Sequence, residues 1–554
     1  MFPLIPFRPA RSRQAPEGAA APQRGLVRGV VLAASVLLAA GSGAYAQSTG
    51  GLTRGSSGAL PSLGDNLELS AGAERRIGDR IAASIYRDRD YIDDPVLEDY
   101  LQSIWQPLMA AARARGELNS ELDERFAWTL FLIRDRSINA FALPGGFFGV
   151  HLGLISAVSS RDELAAVLGH ELSHVTQRHI SRLITQQSRQ TPLLIAAMIL
   201  GALAASKSSQ FGDAALVGGQ ALAVQSQLNF SRDMEREADR VGFGVMTDAG
   251  FDSRGVGSMF EKLQQASRLN DNGSFPYLRS HPLTTARIGE AQARMQLASQ
   301  STSGSSKASV EEFSEARFLH AMMSARARVL ADPGVDALRA MVAEAQRPAP
   351  PVQSPALQFS ASDVRSAGAL YAGALAAAKL RNFTAARQLA EKLGTLAAGN
   401  ARALHDAQLL ALELDVLAGS VPASASLIDL SKTTRRADLL MQARALLASG
   451  RAQAVSDRLL TWVTAFPKDA LAWQLLAVAY GNQNQRVRAI RADAEGHAAQ
   501  LDYSGALDRF RAAQAMVRSD PGSADFVEGS IVDARTRQVE LLVRQQALQD
   551  KVDR

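Results

Sequence analysis

SRDELAAVLGHELSHVTQRHISRLITQQ, Ser160 to Gln187, is the stretch on which the reading of this chain turns. Ser160 followed three positions later by Glu163 forms a capping-box pattern, so a helix is expected to begin at Arg161. Leu164, Val167, Leu168, Leu172 and Val175 recur at helical spacing and give that helix one buried face. Inside it stand His170, Glu171 and His174, an H-E-x-x-H arrangement. Residues i and i+4 lie only about 40° apart around a helix axis, so both imidazoles leave the same side one turn apart. Two neutral imidazoles so placed can bind one zinc ion through ring nitrogens at about 2.0–2.1 Å. Glu171, beside the first of them, can reach a metal-bound water without ligating, which suits a general base.

The composition sets bounds. A chain of 554 residues is too long for one ordinary core, so two or more domains are expected. Hydrophobic residues at 47% and charged residues at 21% are globular values. A net charge of +5, spread without a long basic run, argues against a nucleic-acid partner. There is no cysteine, so zinc must be held by histidine and carboxylate, and neither a disulfide nor a lipoprotein anchor can form. At the start, Arg24 and Arg28 precede the apolar run Gly29 to Ala40, and Ala44-Tyr45-Ala46 supplies a small-x-small cleavage pattern. Residues 1–46 therefore read as a signal peptide cleaved after Ala46, which sends a soluble protein to the bacterial periplasm. The apolar run is shorter than the roughly 20 residues of a spanning helix. Residues 47–60, rich in Gly and Ser, read as a flexible leader.

From Ser70 to Arg89 and from Pro95 to Ala112 the pattern is helical. Phe126 to Ile133, Ile138 to Leu143 and Phe147 to Ile155 are β-prone, and Leu143-Pro144-Gly145-Gly146 is a turn signal. These segments predict a small antiparallel sheet ahead of the H-E-x-x-H helix. Phe147, Phe148, Gly149, Val150 and His151 are its candidate substrate edge, able to pair main chain to main chain with an extended peptide. The other reading is a hairpin that only covers the helix. Pro192 to Ala205 is nearly all apolar yet shorter than a membrane span. A buried core helix, a lid running on to 223, and a patch for peripheral membrane contact through 192–205 are the readings open to it.

Ser231 to Ala249 is the second informative helix, with Ser231 as its N-cap and Gly250 as its stop. Glu235 and Asp239 share a face at i and i+4. A zinc site with two histidines and no cysteine most often takes a carboxylate third ligand, and Glu235 is the candidate. Asp239 is then placed to orient a ligand imidazole through its other nitrogen. The competing reading is a solvated acidic face paired with Arg232, Arg236 or Arg240. His179, nine residues after His170, falls about 180° round a continuous helix and cannot join the cluster without a break. No Gly is present to make that break, which speaks against a three-histidine pattern. His281, in Ser280-His281-Pro282-Leu283, opens a further helix. It is either a capping or packing residue, or one that donates to an oxyanion or visits an empty metal site.

Residues 301–312 are a Ser-rich linker, closing a domain expected over 61–300. Beyond it, 313–554 reads as Ala- and Leu-rich helix pairs. Trp473, Leu476 and Tyr480 fit the first helix of a tetratricopeptide (TPR) repeat. Tyr503, Ala506, Phe510 and Ala513 fit a second helix, as do Arg381 to Leu393 and Gly450 to Pro467. Stacked pairs of this kind form a concave surface that binds peptides or partner proteins.

Taken together, Asn139-Ala140-Phe141-Ala142, the His170 to His179 string, Glu235-Arg236-Glu237-Ala238-Asp239 and His281-Pro282-Leu283-Thr284-Thr285 resemble a known family. It is that of the exported zinc metalloproteases of the β-barrel assembly-enhancing type, within the broader HtpX and CAAX-prenyl endopeptidase group. The resemblance implies an α+β zincin-like metalloprotease domain followed by an all-α TPR-like solenoid. It implies one Zn2+ per chain, with Glu235 as third ligand beside His170 and His174, Glu171 as catalytic base, and Asp239 and His281 as supporting or gating residues. It implies a zinc-dependent endopeptidase that cleaves misfolded or stalled envelope proteins and meets the outer-membrane assembly machinery through the repeats. A scaffold or chaperone with proteolysis secondary is the reading of a different class.

Overall fold

Caps and turn residues set where the elements of this chain begin and end. In the computed structural model, residues 69–186, 231–268, 277–301, 310–347, 359–420, 433–519 and 526–552 are described. The expected signal peptide, the leader, the apolar stretch 192–205 with its lid and membrane readings, and most of the Ser-rich linker lie outside them. Ser70 caps α1 (Ala71–Arg87), which is followed by the short strand β1 (Tyr91–Ile92). Asp94 caps α2 (Pro95–Ala114), accepting the Leu97 N–H at 2.9 Å, and Pro95 sits in the first turn where no donor is required. After α3 (Ser120–Arg125) come β2 (Thr129–Ile133), β3 (Ala140–Leu143) and β4 (Phe147–His151). The domain continues through α4 (Leu152–Ala157), α5 (Arg161–Thr176), α6 (His179–Gln186) and α7 (Arg232–Asp248). It ends with α8 (Arg254–Arg268), α9 (Tyr277–Ser280) and α10 (Thr285–Ser301).

The sheet corrects the sequence expectation. Its order is β1-β2-β4-β3, and β4 runs parallel to β2 while pairing antiparallel with β3, so the sheet is mixed. The hairpin forms at the expected turn, with Gly145 and Gly146 at φ 75° and 79°, where a side chain would be strained. Every residue of β4 is buried, whereas the two middle residues of β3 are partly exposed. A strand buried throughout needs a neighbour on each side, and β4 takes the interior place between β2 and β3. Phe147, Phe148, Gly149, Val150 and His151 are therefore not an edge. Among the described residues the unpaired edge on this side is β3, which packs against α5.

Beyond residue 310 the chain is helical: α11 (Val310–Leu330), α12 (Val335–Gln346), α13 (Ala361–Lys379), α14 (Phe383–Ala397) and α15 (Ala401–Ala418). Then follow α16 (Arg436–Ala448), α17 (Ala452–Ala465), α18 (Ala470–Asn482), α19 (Arg486–Ala499), α20 (Tyr503–Ser519) and α21 (Phe526–Val552). From α17 on, each helix packs against the next, and Trp473, Leu476, Tyr480, Ala506, Phe510 and Ala513 are all buried between them. No helix among the described residues is long and apolar enough to cross a membrane.

Helix α11 joins the elements before it and the helices after it into one core. Trp105 of α2, Phe148 of β4 and Leu168 of α5 belong to the same buried cluster as Phe318 of α11 and Tyr371 of α13. His320 of α11 accepts from the Tyr100 hydroxyl at 2.6 Å through Nδ1 and donates to the Val158 carbonyl at 2.9 Å through Nε2. Arg326, fully buried, forms a bidentate pair with Asp94 at 2.8 and 2.6 Å. It meets Glu413 of α15 at 2.6 and 3.0 Å and donates to the Tyr371 hydroxyl at 3.1 Å. A charge buried this deeply is tolerated only when paired and hydrogen-bonded on every side.

Candidate metal centre

Two helices build the site, and they cross at glycine. Ser160 caps α5 by accepting the Glu163 N–H at 3.2 Å, while the Glu163 carboxylate accepts from the Ser159 N–H at 2.7 Å and from Lys262 at 2.7 Å. Every residue from Val167 to Thr176 is buried, so the helix is enclosed on all sides rather than on one face. Helix α7, capped by Ser231, lies across it. At the crossing, Gly242 faces Gly169: a Cβ on Gly242 would lie 2.9 Å from the Gly169 carbonyl oxygen and 3.0 Å from the His170 nitrogen. Glycine inside a helix costs about 1 kcal/mol relative to alanine, and here it permits an approach no side chain would.

That approach brings His170, His174, Glu235 and His281 together, with their donor atoms all within 4.8 Å of one another. His170 Nε2 lies 3.0 Å from His174 Nε2 and 3.3 Å from His281 Nδ1. Glu235 Oε1 lies 2.9 Å from His281 Nδ1 and 3.4 Å from His174 Nε2, and Oε2 lies 3.5 Å from His170 Nε2. Lone pairs of neutral imidazoles converging at such distances repel unless a proton or a cation sits among them. Ligands around a tetrahedral zinc ion, bonded at about 2.0–2.2 Å, stand roughly 3.3–3.5 Å apart. The donor set of nitrogen and carboxylate oxygen, its spacing and its burial fit such an ion.

The surrounding groups fix the orientation of these side chains. Asp239 Oδ1 stands 3.1 Å from His170 Nδ1, and Arg287 of α10 grips Asp239 with bonds of 2.6 and 2.7 Å. Arg287 Nη1 also lies 2.7 Å from Glu235 Oε2. Burial pushes the Asp239 carboxyl up, but Arg287 and His170 outweigh it and hold the pKa at about 2. Glu235 is likewise held far below the usual carboxylate range: burial opposes this, and His281, His170 and His174 prevail. Burial lowers the His170 pKa, but bonds to Asp239 and Glu235 more than reverse it, to about 10. An imidazole so basic in the protein alone is one that carboxylates hold in place to meet positive charge.

Glu171 is 1% exposed, and among the described residues only Tyr277 and His281 stand beside its carboxylate, neither in a hydrogen bond of normal geometry. Burial raises its pKa, with the charges of His281 and His170 opposing. His281 Nε2 approaches its Oε1 at 3.5 Å, and the Tyr277 ring stacks on His281 at 4.6 Å. A buried carboxylate so weakly bonded, beside the imidazoles of His281 and His170, is poised to hold a proton.

The structure thus brings together His170, Glu171, His174, Glu235, Asp239 and His281, and leaves Phe147 to His151 in the interior of the sheet. It also adds His179. The chain breaks after Thr176, Arg178 takes φ 56°, and α6 restarts at His179. His179 Nδ1 then faces His174 Nδ1 at 2.8 Å. The break is made without glycine, because Arg178 is anchored on α1 by Glu74 at 3.0 Å and by the Leu69 carbonyl. Sequence spacing misses this, as it misses Gly169 and Gly242. Two glycines inside well-capped helices were the available signal.

A large cavity of about 2490 Å3 lies elsewhere, between the α1, α2 and β2 side and the helices from α15 to α20. None of the clustered histidines lines it; Arg435, Arg436, Trp462 and Tyr503 do.

Comparison with known proteins agrees with this geometry. Residues 95–295 match the model of peptidase family M48. The chain is 28% identical over 483 residues to the β-barrel assembly-enhancing protease of Escherichia coli (strain K12), covering 86% of this chain and 89% of that protein. A Vibrio cholerae serotype O1 protein of the same description is 35% identical over 237 residues, 42% of this chain and 47% of that relative, so that match spans about half its length. The mitochondrial metalloendopeptidase OMA1 of Arabidopsis thaliana is 30% identical over 193 residues, 34% of this chain and 35% of that protein.

Proposed function

We propose that the peptidase family M48 domain carried by residues 95–295 is a zinc-dependent endopeptidase of the bacterial periplasm, acting on misfolded or stalled outer-membrane proteins. The observation that carries this reading is the buried convergence of three imidazoles and the Glu235 carboxylate, with the buried Glu171 carboxylate beside them. His170, His174 and Glu235 would hold the zinc, and Asp239 would accept the Nδ1–H of His170. Zinc, when bound, supplies a Lewis acid for the scissile carbonyl and makes water acidic enough to react near neutral pH.

The remaining steps belong to the chain. Glu171 takes a proton from the attacking water onto its carboxylate and passes it to the departing amine nitrogen. Its burial raises its proton affinity, which suits both transfers. His281, at the fourth corner of the cluster, must yield before a substrate carbonyl can enter. An extended substrate has β3 as the sheet edge available for main-chain pairing.

The helix pairs from α11 onward are read as TPR-like repeats that bind substrate or partner, with the large cavity on their inner side. The printed names of the bacterial relatives, β-barrel assembly-enhancing proteases, motivate the substrate class and a contact with the assembly machinery. The periplasmic location rests on the sequence signal at Arg24 to Ala46. The test is elemental analysis of the purified protein together with casein cleavage. One zinc per chain, and cleavage abolished by a chelator and restored by zinc, are expected. A metal-free protein that cleaves equally well would refute the reading.

A further inference from the structure

We propose that His179 and Glu237 form a proton-ordered chain behind His174 that fixes this ligand's tautomer and aim, making His179 a positioning residue of the metal site. The inference rests on the metal-centre reading above. Geometry supplies the parts: His174 and His179 are fully buried, their Nδ1 atoms are 2.8 Å apart, and their rings meet edge to face at 74°. At its far side, His179 Nε2 lies 3.0 Å from Glu237 Oε2, which also accepts from Arg182 Nη2 at 2.8 Å.

With a metal ion on the cluster side of His174, one proton arrangement satisfies every member. His174 turns Nε2 toward the cluster, 3.0 Å from His170 Nε2 and 3.4 Å from Glu235 Oε1; when that nitrogen gives its lone pair to a metal, the proton belongs on Nδ1. His179 Nδ1 then accepts that proton's hydrogen bond, so the His179 proton sits on Nε2. There it donates to the Glu237 carboxylate. Reversing any link would place two protons, or two lone pairs, face to face at about hydrogen-bond distance. Metal-ligating histidines commonly donate their second N–H directly to a carboxylate or carbonyl. Here a second imidazole is interposed, and the same helix α7 that offers Glu235 to the front of His174 offers Glu237 to its back.

The turn at Arg178 exists to make this contact. On a continuous helix His179 would point away; with Arg178 at φ 56°, tied to Glu74 at 3.0 Å, the ring folds back onto His174. A left-handed conformation is disfavoured at any residue other than glycine. Backbone strain of this kind tends to collect where function needs it.

The test is chelator competition on the full-length protein, with the d–d absorption of the cobalt-loaded form as a second readout. His179→Ala is expected to weaken zinc by about tenfold to a hundredfold and to shift the cobalt spectrum. His179→Gln offers an amide oxygen to His174 and an amide N–H to Glu237, and is expected to recover most of that loss. Should His179→Ala fail to fold, Glu237→Ala decides, with an expected loss of about tenfold. Unchanged zinc affinity in the deciding variant overturns the proposal. So does an equal loss in His179→Ala and His179→Gln, which would mean packing alone. Wild-type protein that binds no zinc would instead refute the metal-centre reading beneath it.

Discussion

Gly242 on α7 meets Gly169 on α5 so closely that a Cβ would stand 2.9 Å from the Gly169 carbonyl oxygen. The contact falls one residue before His170 and two turns after Glu235, so it sets the spacing between imidazole and carboxylate. Gly242→Val is expected to push the helices apart and to release zinc, with casein cleavage falling at least tenfold. Zinc content by elemental analysis checks this. Full occupancy in a folded Gly242→Val protein would show that the crossing does not set the site.

Glu171→Gln keeps the shape of the side chain and removes its proton acceptor. Zinc content should stay at the wild-type level while turnover falls by roughly 10²–10⁴, the usual contribution of a general base. Equal turnover by the two purified proteins would remove Glu171 from the mechanism.

His281→Ala tests the fourth corner. Its Nδ1 lies 2.9 Å from Glu235 Oε1 and 3.3 Å from His170 Nε2, where it competes with anything that would occupy that corner. The variant is expected to retain zinc through the other three side chains and to cleave an unfolded protein several-fold faster at low substrate concentration. A rate that drops in proportion to lost zinc would instead make His281 a permanent ligand.

Arg326→Ala removes the guanidinium that Asp94 and Glu413 both bond, which is expected to cost about 3–5 kcal/mol. Chemical denaturation should show this with no change in zinc affinity per folded molecule. The pair also sets an acid limit. Burial pushes the Asp94 carboxyl up, but Arg326 holds it below its ordinary 3.8. Its stabilisation is therefore present above pH 3.8 and is lost as pH falls through the lower folded value. Asp94→Asn should be much less stable than wild type at pH 7, and the gap should narrow below that window. A gap that does not change with pH would mean that the pair's charge contributes nothing.

What could be read from the sequence divides by the range of the cause. His170, Glu171 and His174 were legible because i and i+4 geometry is local, and the caps Ser160 and Ser231 were legible for the same reason. Glu235 needed family resemblance to choose it over a solvated acidic face, because its partner histidines lie 46 or more positions away in the chain. The mixed sheet was not legible. Hairpin chemistry at Pro144-Gly145-Gly146 specifies how β3 meets β4, but which of the two slots beside β2 depends on burial from both sides. An unbroken helix would turn His179 away from the cluster, while the break at Arg178 is made by Glu74 and Leu69, more than 100 positions earlier. Nothing near Arg326 in the chain marks it as interior.

Helix α11 carries a wider consequence for anyone handling this molecule. Phe318, His320 and Arg326 close the side of the peptidase half that Tyr100, Val158 and Asp94 leave bare. A fragment trimmed at residue 300 would be an unfinished body, with a lone carboxylate and an open apolar wall in place of a seam. The smallest piece worth expressing must run at least through α16, where Arg436 meets Asp93 and Glu98 beside the start of α2. Whatever the later helices recognise, they are soldered to the catalyst rather than strung from it.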